Sequence, residues 1–141
     1  VNSVTLIEPS EIALKRAALH VKMMDNMVEI ITIHQYLNTI DDKDLLSAAR
    51  PTLHLFSNIL DIREISLPKL CEQISRVFRG KNYFVCVSPM ISDDLTARIE
   101  SFVDFFRRSA GFHCYFSLVK AKGHWINNWS IVAYVFEVNT Q

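Results

Sequence analysis

The sequence predicts an α/β fold, in which a mostly parallel β-sheet has helices on both faces and ends in a C-terminal antiparallel β-hairpin. Three observations favour it. Strand-like and helix-like segments alternate four times along the chain. The apolar run at 83–87 does not alternate with polar residues, which is typical of a strand covered on both faces. The last two strand-like runs have no helix between them, so they are expected to pair antiparallel.

The first half of the chain predicts two strands and two helices. An apolar strand at 4–7 is followed by an amphipathic helix whose apolar residues recur with helical periodicity. The residues of this stripe are Ile12, Leu14, Ala17, Ala18 and Val21. A β-branched run at 27–33 predicts the second strand, and a short helix is expected over 42–49 because Pro51 would end it.

The second half predicts the remaining strands and helices. A third strand at 52–57 precedes a helix that is expected to begin at the N-cap Ser66 and to end at Gly80. The apolar strand at 83–87 is followed by another amphipathic helix. The runs at 112–119 and 130–138 are the two strands of the predicted hairpin.

Composition restricts the classes of protein. A chain of 141 residues fits one domain. Its 15 basic and 15 acidic residues give no net charge, so the sequence offers no electrostatic attraction for nucleic acid. No apolar run approaches the ~18 residues that span a bilayer, and no signal peptide is recognisable, so we expect a cytoplasmic protein without a membrane partner. Because the chain starts at Val1 and has no glycine-rich turn before its first strand, we expect residues 1–141 to be a single domain from the C-terminal part of a longer protein.

The cysteines indicate neither a disulfide framework nor a metal site. Cys71, Cys86 and Cys114 are odd in number, lie among apolar residues and have no metal-ligand spacing. We therefore expect three buried free thiols and no bound metal.

The end of the first strand is the first candidate binding site. Glu8 follows the strand directly, and a carboxylate at the carboxyl edge of a sheet is placed to bind the two vicinal hydroxyls of a ribose. The same segment also forms a plausible helix start, with Ser10 as its N-cap. Both interpretations are open from the sequence.

This order of elements resembles the class I S-adenosylmethionine-dependent methyltransferases, whose Rossmann-like sheet ends in an antiparallel hairpin. Residues 4–8 are similar to the second strand of that family, and Glu8 to the acidic motif that holds the cofactor's ribose. Residues 55–61 are similar to the fourth-strand motif that faces the methyl donor, and 84–89 resemble the fifth strand. Nothing in residues 1–141 resembles the first strand and its glycine-rich loop, so the resemblance implies an incomplete methyltransferase-like Rossmann fold.

The resemblance implies S-adenosylmethionine as the cofactor and methyl transfer to a small-molecule or macromolecular acceptor. The cofactor-binding residues that it implies are Glu8, Pro9, His34, Gln35 and Ser57. Asn58 and Asp61 would lie near the transferred methyl, where Asn58 could hold an amine and Asp61 could accept a proton. Both side chains could instead satisfy backbone groups of the loop.

The connection of the predicted hairpin contains a second candidate surface. His124, Trp125 and Trp129 combine aromatic and polar groups that could close over a substrate, or that could cover the core of their own domain. The neutral charge favours a small-molecule substrate over nucleic acid.

Two other functions are open. The domain could be a non-catalytic, methyltransferase-like scaffold or protein-interaction domain, because a fold alone does not establish a reaction. It could also bind a nucleotide or sugar nucleotide for another chemistry, which would keep Glu8 and discard Asn58. An exposed sheet edge at the place of the missing first strand predicts self-association.

Overall fold

A computed structural model describes residues 2–45, 51–89, 93–109, 111–122 and 130–140 of the protein. The chain forms two compact units, Val1–Asp44 and Leu45–Gln141. We call them the first unit and the second unit. The single-domain organisation expected from the sequence stays a prediction.

The first unit is built around a parallel strand pair. Its elements are β1 (Ser3–Ile7), α1 (Glu11–Met24), β2 (Glu29–Ile33), a 3₁₀ turn (Leu37–Thr39) and the start of α2 (Asp42–Leu45). β1 and β2 pair in register from Ser3 opposite Glu29 to Ile7 opposite Ile33. Because the strands are parallel, both end at the same edge of this two-stranded sheet. The part of the predicted short helix beyond Leu45 lies outside the described residues.

Helix α1 begins where the sequence predicts but buries less of its apolar stripe. Ser10 is the N-cap, and its Oγ accepts a hydrogen bond from the backbone N of Ala13 at 3.3 Å. Leu14 is 6% exposed, whereas Ile12 is 66% exposed. Residues two positions apart lie on different sides of a helix. The prediction that Ile12 shares the buried face with Leu14 is therefore wrong.

The second unit contains a four-stranded sheet and two helices. Its elements are β3 (Thr52–Ser57), α3 (Leu67–Val77), β4 (Gly80–Pro89), α4 (Asp93–Arg107), β5 (His113–Lys122) and β6 (Ser130–Thr140). The strand order is β3-β4-β6-β5. β3 and β4 are parallel, whereas β6 pairs antiparallel with both β4 and β5. The predicted antiparallel hairpin is confirmed.

The predicted mostly parallel sheet is wrong, because the sheet of the second unit is mixed and β1 and β2 form a separate sheet. The hairpin is the physical reason. Its second strand lies between β4 and β5, so both ladders that β6 makes are antiparallel and only the β3–β4 ladder is parallel.

An aromatic cluster forms the core of the second unit. The ring of Phe84 in β4 stacks on Phe136 in β6, with centroids 4.8 Å apart, and lies 5.3 Å from Phe106 of α4. These three rings are at most 2% exposed. Aromatic pairs of this kind stabilise a core beyond their buried area. They fix α4 against one face of the sheet.

Within the second unit, α3 and α4 cover that same face. The buried residues of β4 alternate, and Cys86, which is fully buried on the covered face, lies near Cys71 of α3. On the opposite face Leu53 is 66% exposed and Leu55 is 68% exposed. The prediction of helices on both faces therefore does not hold for the described helices of the second unit.

The three cysteines differ in exposure. Burial raises the pKa of the Cys71 and Cys86 thiols to about 12, so both are protonated, unreactive core groups. Cys114 is exposed on β5, which contradicts the expectation of a third buried thiol. In the described parts of the chain, no helix has both the length and the apolar character needed to cross a membrane.

Candidate functional site

The carboxyl ends of β3 and β4 form a common edge in the second unit. The parallel ladder ends with Ser57 opposite Val87. The backbone N of Asn58 then donates to the carbonyl of Val87 at 2.8 Å. The loop from 58 to 66 leaves the sheet at this point and leads to α3. We call these nine residues the site loop.

Asn58 begins the site loop in an unusual backbone conformation. Its φ is +54°, in the left-handed region that Asn tolerates better than most residues. Its side chain is exposed. The positive φ of this turn is enough to explain why Asn is suitable at position 58. The side-chain amide of Asn58 nevertheless lies at the sheet edge, as the resemblance implied.

Asp61 is held at the same edge by a residue that the sequence did not indicate. Its Oδ1 accepts a hydrogen bond from the Oγ of Ser88 at 3.2 Å. Ser88 lies in β4 and is 2% exposed, whereas Asp61 is half-buried. Asn58 contacts Val87 and Asp61 contacts Ser88, so two successive residues of β4 hold the two predicted catalytic residues. The signal in the sequence that could have indicated this contact is the polar residue Ser88 at the end of an apolar strand.

Helix α4 binds the site loop through Arg98. Its Nε donates to the carbonyl of Leu60 at 3.3 Å, and Nη2 donates to the carbonyls of Ile62 at 2.8 Å and Ile65 at 2.6 Å. A guanidinium presents its donors in a rigid fork, which suits several acceptors at once. Arg98 was not predicted, because a cation beside the apolar stripe of a helix is normally a solvated side chain.

The loop is also anchored by apolar side chains. Leu60 is 1% exposed and Ile65 is 7% exposed. An ion pair between Arg63 and Asp94 adds a second link to α4, with 2.5 Å between Nη2 and Oδ2. Both of these charged side chains are largely exposed, so this pair stabilises the loop only weakly. The buried anchors and Arg98 are therefore the main restraints.

The first unit has its own strand edge, where four predicted cofactor-binding residues meet. The backbone N of Glu8 donates to the carbonyl of Ile33 at 3.1 Å, which extends the parallel ladder by one bond. The Nε2 of His34 donates to the carbonyl of Pro9 at 2.9 Å. Glu8 is half-buried, and Pro9, His34 and Gln35 are exposed.

The carboxylate of Glu8 also takes part in the start of α1. Its Oε1 accepts a hydrogen bond from the backbone N of Ser10 at 2.9 Å. The alternative interpretation of Glu8 as part of a helix start is thus confirmed. A carboxylate offers about four acceptor positions, so this bond leaves capacity for a diol.

The hairpin residues His124, Trp125 and Trp129 lie outside the described residues. Among the residues that the structure describes, no three His, Cys, Asp or Glu side chains lie close enough to hold a metal ion. His54 is a core histidine, because its Nε2 donates to the Oδ1 of Asn82 at 3.0 Å and its ring stacks on Phe78. His113, at the start of β5, is exposed.

A polar cluster lies at the opposite end of β4 and was not predicted. The hydroxyl of Tyr115 donates to Glu137 Oε2 at 2.5 Å, and Lys81 Nζ lies 3.1 Å from Glu137 Oε1. The Tyr115 hydrogen bond, together with Lys81, lowers the pKa of the Glu137 carboxyl. Because the three groups satisfy one another, the cluster is explained as part of the sheet surface.

Comparisons with known proteins address the fold. No protein-family model matches the sequence, and no curated protein sequence matches it. A crystal structure of a Sulfolobus solfataricus protein assigned as a type 11 methyltransferase matches 99% of this chain and 72% of its own, with 16% identity and a TM-score of 0.55. The chain has a methyltransferase-like fold.

A second solved structure, EvdMO1, matches 98% of this chain, with 17% identity and a TM-score of 0.56. Here the chain spans 32% of the other protein's length. At these identities the likeness concerns the fold alone, so residue roles must come from the two strand edges themselves.

Proposed function

We propose that this chain takes part in methyl transfer from S-adenosylmethionine to a small-molecule acceptor. One observation supports the proposal most directly. In a methyltransferase-like fold, Asn58 and Asp61 lie together at the carboxyl end of the parallel pair β3–β4, held by Val87 and Ser88 of β4. Ligands of open α/β sheets bind outside this end of the strands.

The chemistry needs little from the protein beyond alignment. When bound, S-adenosylmethionine supplies an activated methyl group, which leaves as the C–S electron pair returns to sulfur. The exposed side-chain carbonyl of Asn58 would accept a hydrogen bond from an acceptor amine and orient its lone pair toward the methyl carbon. Asp61 would take the proton that the amine loses, and Ser88 would hold its carboxylate in place. Alignment of this kind supplies a large part of the rate enhancement in displacement reactions.

For the first unit taken by itself, we propose that Glu8 binds the ribose of S-adenosylmethionine. Glu8 has a carboxylate at the end of β1 with acceptor capacity beyond its bond to Ser10. His34 and Gln35 are exposed at the end of β2 and are proposed to contact the adenine. Ser57, the last residue of β3, is proposed as a further cofactor contact.

Calorimetry with S-adenosylmethionine tests the cofactor. The full-length protein should bind it, and Glu8→Ala should weaken the affinity about tenfold or more, because a hydrogen-bonded charge is lost. Glu8→Gln is the matched variant, since its amide oxygen can still accept from Ser10 at the helix start. Glu11→Ala is the control, because Glu11 is exposed and pairs with Lys15 at 2.6 Å.

Two outcomes would contradict the proposal. Absence of heat with the wild-type protein would exclude S-adenosylmethionine as the cofactor. Equal affinities for the wild type and Glu8→Ala would remove the ribose assignment, although the cofactor itself would stand.

A second candidate function is a non-catalytic scaffold that binds another protein. The exposed Leu53 and Leu55 favour it, because exposed apolar side chains on a terminal strand are a feature of association surfaces. β3 is the terminal strand of the four-stranded sheet, and we propose self-association through the exposed side chains of this strand. Light scattering should show a mass that rises with concentration and falls with Leu53→Lys. A single monomeric mass would oppose self-association.

A further inference from the structure

Arg98 contacts the two sides of a proposed catalytic residue. Two of its three acceptors, the carbonyls of Leu60 and Ile62, belong to the residues that flank Asp61 in the chain. The third acceptor, the carbonyl of Ile65, lies near the end of the site loop. All three acceptors belong to one loop, so a single side chain restrains the site loop at three positions.

The site loop has few internal restraints around Asp61. Its turn bonds join the backbone N of Ile62 to the carbonyl of Ile59, and the N of Ile65 to the carbonyl of Ile62, both at 3.2 Å. The carbonyl of Ile62 therefore accepts from Arg98 and from the next turn. Removing the guanidinium would free the backbone on either side of Asp61, and the 3.2 Å contact with Ser88 depends on that backbone.

We propose that Arg98 is a positioning residue, which holds the site loop in the conformation that places Asp61 against Ser88 and Asn58 at the end of β4. The consequence for methyl transfer rests on the proposed function. The effect on the loop does not, so the two can be tested separately.

Amide hydrogen exchange, followed by NMR on the full-length protein without cofactor, tests the effect on the loop. Arg98→Ala should raise exchange at 58–65 about 10- to 100-fold, as expected when bonds from a charged donor are lost. Amides in the buried stretch of α3 around Ile74 should keep their protection. Added guanidinium ion at non-denaturing concentration should restore the protection of the site-loop amides in Arg98→Ala.

Two variants make the result specific. Arg98→Lys keeps the charge but replaces the fork with a point donor, so it should restore only part of the protection. Arg98→Lys also replaces Arg98→Ala as the test variant if Arg98→Ala does not fold. Arg107→Ala removes an exposed cation from the same helix, one that pairs with Asp104 at 2.8 Å, and it should leave the site loop unchanged. Equal exchange in the wild type and the Arg98 variants, or a uniform rise over the whole second unit, would overturn the proposal.

A double-mutant cycle tests whether Arg98 acts through Asp61. The rate of methyl transfer from S-adenosylmethionine to a small amine is measured for wild type, Arg98→Ala, Asp61→Asn and the double variant. The Arg98 change should lower the rate in the wild-type background and have a smaller effect beside Asp61→Asn. Additive effects, or no effect of Arg98→Ala, would overturn the positioning role. If the wild type binds no cofactor, the proposed function fails, and the exchange experiment still decides whether Arg98 holds the loop.

Discussion

The two strand edges of this protein are built in different ways. At the end of β1, the side chains of Glu8 and Ser10 accept hydrogen bonds from residues two and three positions away. The longer-range bonds there, from His34 to the Pro9 carbonyl and from the Glu8 backbone N to the Ile33 carbonyl, join the ends of β1 and β2 without orienting the Glu8 carboxylate. At the end of β3, Asp61 is held by Ser88, 27 positions away, and the loop is held by Arg98, up to 38 positions away. Buried Leu60 and Ile65 complete the second edge.

Under the proposed function, this difference would separate a ribose-binding surface at Glu8 from a positioned proton acceptor at Asp61. Local bonds shape the start of α1 and leave the Glu8 carboxylate able to accept hydrogen bonds from hydroxyl groups. Such binding does not require that a distant helix or strand hold the carboxylate in an exact orientation. A proton acceptor must be held within hydrogen-bonding distance of its substrate. The long-range contacts of Asp61 meet that requirement, and the predictions below test the contrast.

The largest expected effect is the loss of the buried anchor of the site loop. Leu60→Ala should lower the free energy of unfolding by about 2–5 kcal/mol, because it leaves a cavity at a side chain that is 1% exposed. Ile62→Ala, at a side chain that is 39% exposed, is the matched control and should cost less. Urea denaturation followed by circular dichroism gives both values. Equal losses would mean that burial does not anchor the loop.

The next effect concerns Asp61 as the proton acceptor. Asp61→Asn should lower the rate of methyl transfer about 100-fold, the lower range for loss of a general base. Ser88→Ala should have a smaller effect, because the carboxylate remains but is less well held. Formation of S-adenosylhomocysteine with a panel of small amines measures both rates. An unchanged rate in Asp61→Asn would leave Asp61 with a structural role only.

The pH dependence of stability should come from the second unit through His54. Burial lowers the pKa of its imidazole from the ordinary value of 6.5, partly opposed by the hydrogen bond with Asn82. The contribution of the neutral His54 imidazole to the free energy of unfolding is therefore fully present above about pH 6.5. It is lost as the pH falls through the lowered pKa that His54 has in the folded protein.

Unfolding free energies of the wild type between pH 8 and pH 5 should show this loss. In His54→Gln, which can still donate to Asn82 but does not titrate, the slope should be smaller. His20→Ala is the control, because His20 is exposed on α1. A slope that is the same in all three proteins would assign the pH dependence to other groups.

The smallest expected effect distinguishes two helix caps. Ser10→Ala removes a side-chain bond to Ala13 and should cost about 1 kcal/mol. Ser66→Ala should cost less, because Ser66 is the N-cap of α3 but its side chain makes no capping bond. Thermal unfolding of the two variants tests the order. A larger loss for Ser66→Ala would show that a stronger contact of Ser66 had been missed.

Much of the local structure could be predicted from spacing. The order of strands and helices, the N-caps Ser10 and Ser66 and the antiparallel hairpin all follow from patterns within a few residues. The placement of Asn58 and Asp61 after a strand is equally local. Their shared contact with β4 required the parallel pairing that the structure shows.

The sequence by itself determined the order of strands and helices, which residues can cap a helix and which strands are joined too closely to be parallel, because these depend on backbone geometry over a few residues. It did not determine every boundary, since Gly80, expected to end α3, is the first residue of β4 and α3 ends at Val77. The tertiary structure alone decided the mixed strand order, the exposure of Cys114 and His113, and the contact of Arg98 with the site loop. These depend on which distant segments pack together, and many packings satisfy the same local pattern.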